Sequence, residues 1–125
     1  MNKFTSLAFT VVFALLGLNA CNQASYKTVS VQDLNIARSS ALVLDVRTAE
    51  EFAQGHVPGA KLLPVQELEA RINEVPTGKP IFVICRSGNR SKAASDILVK
   101  NGRSEINNVA GGTKAWITAG YPLEQ

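Results

Sequence analysis

Two short runs constrain this chain most: ALVLD at Ala41–Asp45 and IFVI at Ile81–Ile84. A strand with one face in water alternates apolar and polar residues. Neither run does, so each reads as a strand buried on both faces, the mark of a parallel sheet covered by helices on either side. Each ends abruptly in polar residues: Asp45-Val46-Arg47 after the first and Cys85–Arg90 after the second. In open α/β sheets, sites form just beyond the carboxyl ends of strands, so these two clusters are the first place to look for chemistry.

The rest of the chain supplies the covering elements. YKTV, from Tyr26, reads as a short strand. SVQDLNIAR reads as a short helix capped by Ser30, with Leu34 and Ile36 inside it. Thr48-Ala49-Glu50-Glu51 matches a capping box and opens a helix closed by Gly55. VPGAKLLP holds a turn and a short strand. In VQELEARINEV, helical spacing of Val65, Leu68, Ile72 and Val75 predicts one helix, stopped by Pro76 and Gly78. SKAASDILVKN carries Ala94, Ile97 and Leu98 on one face and ends at Gly102. EINNV makes a last strand, and GGTKAWITAGYP a glycine turn at Gly111-Gly112 and a final helix with Trp116 in the core. Strands alternating with helices give an α/β domain with a mainly parallel sheet. The chain of 125 residues is sized for one such domain. Its net charge of +3 comes without any Lys/Arg run or basic stripe, so nucleic acid is not an expected partner.

The first twenty residues, MNKFTSLAFTVVFALLGLNA, stand apart. One lysine precedes an apolar run from Phe4 to Leu18, then small residues and Cys21, the layout of a secretory signal. The run is short for a spanning helix. The tail LNAC, Leu18–Cys21, resembles the bacterial lipobox, with Asn19 where Ser, Ala or Thr is commoner. That resemblance implies cleavage before Cys21 and lipidation of its thiol, with residues 21–26 as lipidated cysteine and tether and 27–125 as the folded domain. Several acyl chains on one residue anchor a protein firmly. The expected location is therefore the membrane surface facing the periplasm. Asn22 is not an acidic retention signal, which favours the outer membrane in a Gram-negative host. An ordinary signal peptide with a chance cysteine is the alternative.

Lipidation of Cys21 leaves Cys85 unpaired in an oxidising compartment, where a lone thiol is a liability unless it is buried or has work to do. Its setting argues for work. A strand–loop–helix junction leaves backbone N–H groups converging on the loop, and these favour negative charge. Arg86 and Arg90 follow the thiol closely and bias it toward thiolate. Gly88 lets the loop turn tightly. Ser87, Asn89 and Ser91 can hydrogen-bond around it, with Ser91 a candidate cap for the following helix.

CRSGNRS at Cys85–Ser91 resembles the active-site loop of single-domain rhodaneses. LDVRTAEEFAQGHVPGA at Leu44–Ala60 resembles that family's Asp-x-Arg segment and Gly-His-x-Pro-Gly-Ala turn. GGTKAWITAGYPL at Gly111–Leu123 resembles its carboxyl-terminal glycine pair, Trp helix and Gly-Tyr-Pro end. The resemblance spans residues 27–124. It implies a rhodanese-like three-layer fold, with a five-stranded mainly parallel sheet and helices on both faces. It also implies sulfur transfer: Cys85 takes sulfane sulfur from a small anionic donor such as thiosulfate and passes it to a thiol or cyanide. Arg86, Ser87, Gly88, Asn89 and Arg90 would bind the substrate, supported by Ser91, Asp45 and Arg47. Asp45 and Arg47 read first as a strand-end pair holding neighbouring loops. His56 reads as architectural, because a thiolate nucleophile and a sulfite leaving group need no base. No cofactor or metal is called for, and a monomer is expected.

Two other readings share the architecture. Protein phosphatases and arsenate reductases use a Cys-x5-Arg loop followed by Ser or Thr. Here the spacing from Cys85 to Arg90 is Cys-x4-Arg, a smaller cradle suited to sulfur rather than a tetrahedral phosphate. The other reading is a non-catalytic sulfur carrier or partner-binding module of the same fold.

Overall fold

The computed structural model describes residues 25–125. The proposed signal segment, Cys21 and most of the tether lie outside the described residues. Five parallel strands, β1 (Lys27–Val29), β2 (Leu42–Asp45), β3 (Lys61–Leu62), β4 (Ile81–Ile84) and β5 (Ile106–Val109), form one sheet in the order β1-β5-β4-β2-β3. The two apolar runs are β2 and β4, side by side near the centre of the sheet. Their register pairs Asp45 with Ile84, so the two polar clusters emerge next to each other at one end.

Five helices cover the sheet: α1 (Val31–Ala37), α2 (Ala49–Gln54), α3 (Val65–Leu68), α4 (Asn89–Lys100) and α5 (Gly112–Thr118). Alternation along the strands sends successive side chains to opposite faces. Leu44, Val83, Cys85 and Ile106 pack with Leu68, Ala94 and Leu98 beneath α3 and α4. Val43, Phe82, Ile84 and Val109 pack with Val31, Leu34 and Trp116 beneath α1 and α5. Both faces are buried, which is why neither central strand alternates in sequence.

Local signals hold at several ends. Ser30 caps α1 in a capping box with Asp33, and Thr48 caps α2 in one with Glu51. Leu34 is fully buried in α1, whereas Ile36 is on its open side. One expectation fails. The predicted helix over Val65–Val75 is split into α3 and a 3-10 turn at Ile72–Glu74. Tertiary partners capture the carbonyls of the second half. The Arg103 guanidinium donates to the Ile72 and Val75 carbonyls, and the Lys61 ammonium donates to Glu74 O. Both Leu68 and Val75 stay buried in this broken path, so helical spacing misread as one element what the core fixes at two points.

Candidate active site

Strand β4 carries its apolar run straight into Cys85, whose side chain is 1% exposed. The chain then turns through Arg86 and Ser87 to Gly88, at φ +109, and enters α4. The left-handed conformation of Gly88 turns the backbone back over the sulfur. The Gly88 N–H donates to Sγ at 3.1 Å and the Ser91 N–H at 3.3 Å. The Ser91 hydroxyl lies 3.4 Å from Sγ and 3.0 Å from the Gly88 carbonyl oxygen. Burial pushes the Cys85 thiol up. The Ser91 hydroxyl and the N–H groups of Ser91, Gly88 and Ser87 outweigh it, so the net effect holds the thiol below its ordinary value. Ser91 is therefore not the cap expected of it. Gly88 occupies the cap position, and Ser91, fully buried in the first turn, serves the sulfur.

The two arginines separate. Arg86 is exposed beside the thiol. Arg90 is engaged by α2: its Nη1 lies 2.6 Å from Glu51 Oε1 and its Nη2 2.9 Å from Oε2, a bidentate pair. The Arg90 hydrogen bonds hold the Glu51 carboxyl down at about 2, and Glu51 with the nearby Cys85 and Asp45 charges raises Arg90 further. Engaged in this way, Arg90 pins the loop to α2. Ser87 and Asn89 are exposed on the outer side of the turn.

Asp45 and Arg47 form the strand-end pair expected of them. Arg47 Nη2 donates to Asp45 Oδ2 at 2.8 Å, and the Arg47 N–H and Nε donate to Oδ1, each at 3.0 Å. The same Nη2 reaches the Gly55 carbonyl at 2.8 Å and ties the end of α2 to the end of β2. His56 is also structural. Its Nδ1–H donates to Phe52 O at 2.8 Å, its ring stacks on Phe52, and its backbone pairs in both directions with Glu124.

Three residues do more than the sequence indicated. Gly112 opens α5 directly against the loop, and a Cβ there would collide with the Cys85 and Arg86 carbonyl oxygens. This close approach lets the Thr113 N–H donate to Cys85 O at 2.8 Å and the Lys114 N–H to Arg86 O at 3.1 Å. The glycine pair in the sequence was the available signal, but only the fold shows what it touches. Glu51, read as a capping-box residue, also binds Arg90. Asn108 on β5 is fully buried with neither side-chain polar atom hydrogen-bonded. In EINNV it follows another asparagine, Asn107, and nothing in that pair marks which of the two is buried.

A cleft of about 480 Å³ adjoins the loop. It is lined by Arg47, Glu51, Arg86, Lys114, Ile117 and Leu123, among others. A buried thiol in a nest of N–H donors, with a cation at the mouth of an open cleft, can attack an electrophilic sulfur and hold the resulting anion.

The family model for the rhodanese-like domain matches residues 28–119, most of the chain and the whole cysteine loop. The chain belongs to the rhodanese-like family. Among similar proteins, a sulfurtransferase of Allochromatium vinosum is 38% identical over 82 residues, covering 66% of this chain and 77% of its own length. The thiosulfate sulfurtransferase GlpE of Pseudomonas putida is 37% identical over 87 residues, covering 70% and 78%. The crystal structure of a rhodanese-related protein from Thermoplasma volcanium superposes with a TM-score of 0.75 at 34% identity, covering 79% of this chain and 98% of that one. The rhodanese-like fold expected from the sequence, with a five-stranded parallel sheet, is the fold observed. Membership together with relatives named as sulfurtransferases supports an enzyme of the sulfurtransferase type.

Proposed function

We propose that this rhodanese-like chain is a sulfurtransferase working through a persulfide on Cys85. The observation that carries the reading is the buried sulfur met by the Gly88 and Ser91 N–H groups. In the first step the Cys85 thiolate attacks the outer sulfur of thiosulfate. A new S–S bond forms, the sulfur–sulfur bond of the donor breaks, and sulfite leaves with the electron pair. In the second step a thiolate or cyanide attacks the outer sulfur of the persulfide, and Cys85 leaves as thiolate. Electrons balance within each displacement, so neither step calls on an external oxidant. The loop N–H groups favour the anionic sulfur at both stages. Arg86 attracts the anionic donor. Ser87, Gly88 and Asn89 offer further polar contacts on the loop. The short Cys-x4-Arg spacing supports sulfur over phosphate.

Intact mass after incubation with thiosulfate tests the reading. The expected result is a gain of one sulfur, lost on adding cyanide with formation of thiocyanate, and absent in Cys85→Ser. No mass change with no thiocyanate would overturn it, and turnover of aryl phosphates instead would favour the phosphatase reading. A gain of sulfur that no acceptor removes would favour the non-catalytic carrier.

The address belongs to the same proposal. The apolar run before LNAC supports export and lipid anchoring through Cys21, facing the periplasm, with the domain acting as a monomer on small-molecule partners. Fractionation of the native host tests this. The protein is expected with the membranes, and Cys21→Ser is expected to release it. A cytosolic native protein would count against the address and leave the sulfur chemistry standing.

A further inference from the structure

The cleft beside the cysteine loop carries a pattern the loop chemistry does not use. Its charged residues fall into two groups. Arg47 is paired with Asp45, and Glu51 with Arg90. Arg86 and Lys114 have no carboxylate partner among the described residues, and both are exposed. The Lys114 N–H bond to Arg86 O holds their backbones side by side, and both residues line this cleft. The floor is unlike a simple anion site. Of the three large apolar residues exposed among the described residues, Ile117 and Leu123 both line this cleft, at 55% and 40% exposure. The volume, about 480 Å³, is in the range of organic ligands rather than of cyanide or a small oxyanion.

We propose that this cleft is an acceptor subsite selecting organic thiols that carry a carboxylate beside an apolar group, as a cysteinyl peptide does. Lys114 takes the carboxylate, and Ile117 and Leu123 take the apolar group. The proposal rests on the sulfurtransfer reading and adds the class of acceptor. With the acceptor seated, its thiolate attacks the outer sulfur of the Cys85 persulfide. The new S–S bond forms on the acceptor, the bond to Sγ breaks, and its electron pair returns to Sγ between the Gly88 and Ser91 N–H groups. The product is the acceptor persulfide. Lys114 is a specificity residue here: it holds a part of the acceptor that does not react.

Three capped peptides separate the features: acetyl-Cys-Leu-Glu-amide, acetyl-Cys-Leu-Gln-amide and acetyl-Cys-Ser-Glu-amide. Each is mixed with protein whose Cys85 has been loaded from thiosulfate and checked by mass, and the rate of sulfur loss is followed. The Leu-Glu peptide is expected to react roughly tenfold faster than either of the others, a difference of about 1.4 kcal/mol. In Lys114→Glu the preference for Glu over Gln should vanish or reverse, and in Lys114→Arg it should persist. In Ile117→Ser the preference for Leu over Ser should fall. Equal rates in the native protein, or a charge preference that survives Lys114→Glu, overturn the inference. Failure of Cys85 to take sulfur counts against the sulfurtransfer reading instead. The cleft is then tested in the Cys85→Ser protein with S-methylated peptides, whose binding must show the same two preferences for the subsite to stand.

Discussion

Cys85 is held low in pKa by donors at short range, and those donors can be removed one at a time. Ser91→Ala deletes a hydroxyl 3.4 Å from the sulfur while leaving its N–H in place. The thiol pKa should rise, because the lost hydrogen bond favoured the anion. Alkylation by iodoacetamide across pH reads this directly: the inflection should move to higher pH, and the rate near neutrality should fall roughly tenfold. Asn108 is the opposite case. A fully buried amide with neither polar atom satisfied carries its desolvation cost without return. Asn108→Leu is expected to raise stability by about 1 kcal/mol in urea unfolding. A loss of stability would mean that the amide has a partner in solution. At this scale the sequence marked Cys85, Gly88 and the Asp45–Arg47 pair well, since each sits where a strand ends and a turn must follow. It was silent on Asn108, because burial of one polar residue on an inner strand depends on what the helices above it leave open.

The link between α2 and α4 is a single bidentate ion pair, Glu51–Arg90. Its pH dependence follows from the Glu51 carboxyl, moved from 4.5 to about 2. A depressed carboxyl contributes stability that is fully present above the unfolded value near 4.5 and is lost as pH falls toward 2. Glu51→Gln should remove this part of the acid limb. The gap in stability between the two proteins should be about 1 kcal/mol near neutrality and close between pH 4.5 and 2. A gap unchanged down to pH 2 would show that the pair contributes nothing. Between α5 and the loop the contact is steric. Gly112→Ala would drive a methyl into the Cys85 and Arg86 carbonyl oxygens, at a left-handed φ of +57. The expected cost is about 3 kcal/mol in urea unfolding, with slower sulfur loading in whatever folds. Local reading recovered the Thr48–Glu51 capping box, the Ser30 cap and the two buried strands. It could not show that Glu51 spans from its own cap to Arg90, nor that the helix from Val65 breaks. Those outcomes depend on Arg90, Arg103 and Lys61, which lie outside the segments they bind.

Across the whole molecule, the two central strands were legible because an unbroken apolar run leaves few alternatives. The order of the edge strands was not, since β1 and β3 are short and carry little pattern. The carboxyl-terminal strap is a second global feature. Trp116 Nε1–H donates to Pro122 O at 2.8 Å, Leu123 lies over Gly55, and Glu124 pairs with His56 through both backbone groups. Removing residues 122–125 should lower the melting temperature by several degrees, for a loss of about 2 kcal/mol, and speed amide exchange at His56. An unchanged melting temperature would show the strap to be decorative. The docking of α5 also has a consequence for timing. With the Cys85 and Arg86 carbonyls drawn outward by Thr113 and Lys114, these peptide planes cannot readily rotate to present oxygen to the sulfur. A loop free to rotate would relax when its anion departs and would have to be reorganised at every turnover. This one is held in its receptive form between visits, so the cost of arranging the dipoles is met once, when the chain folds.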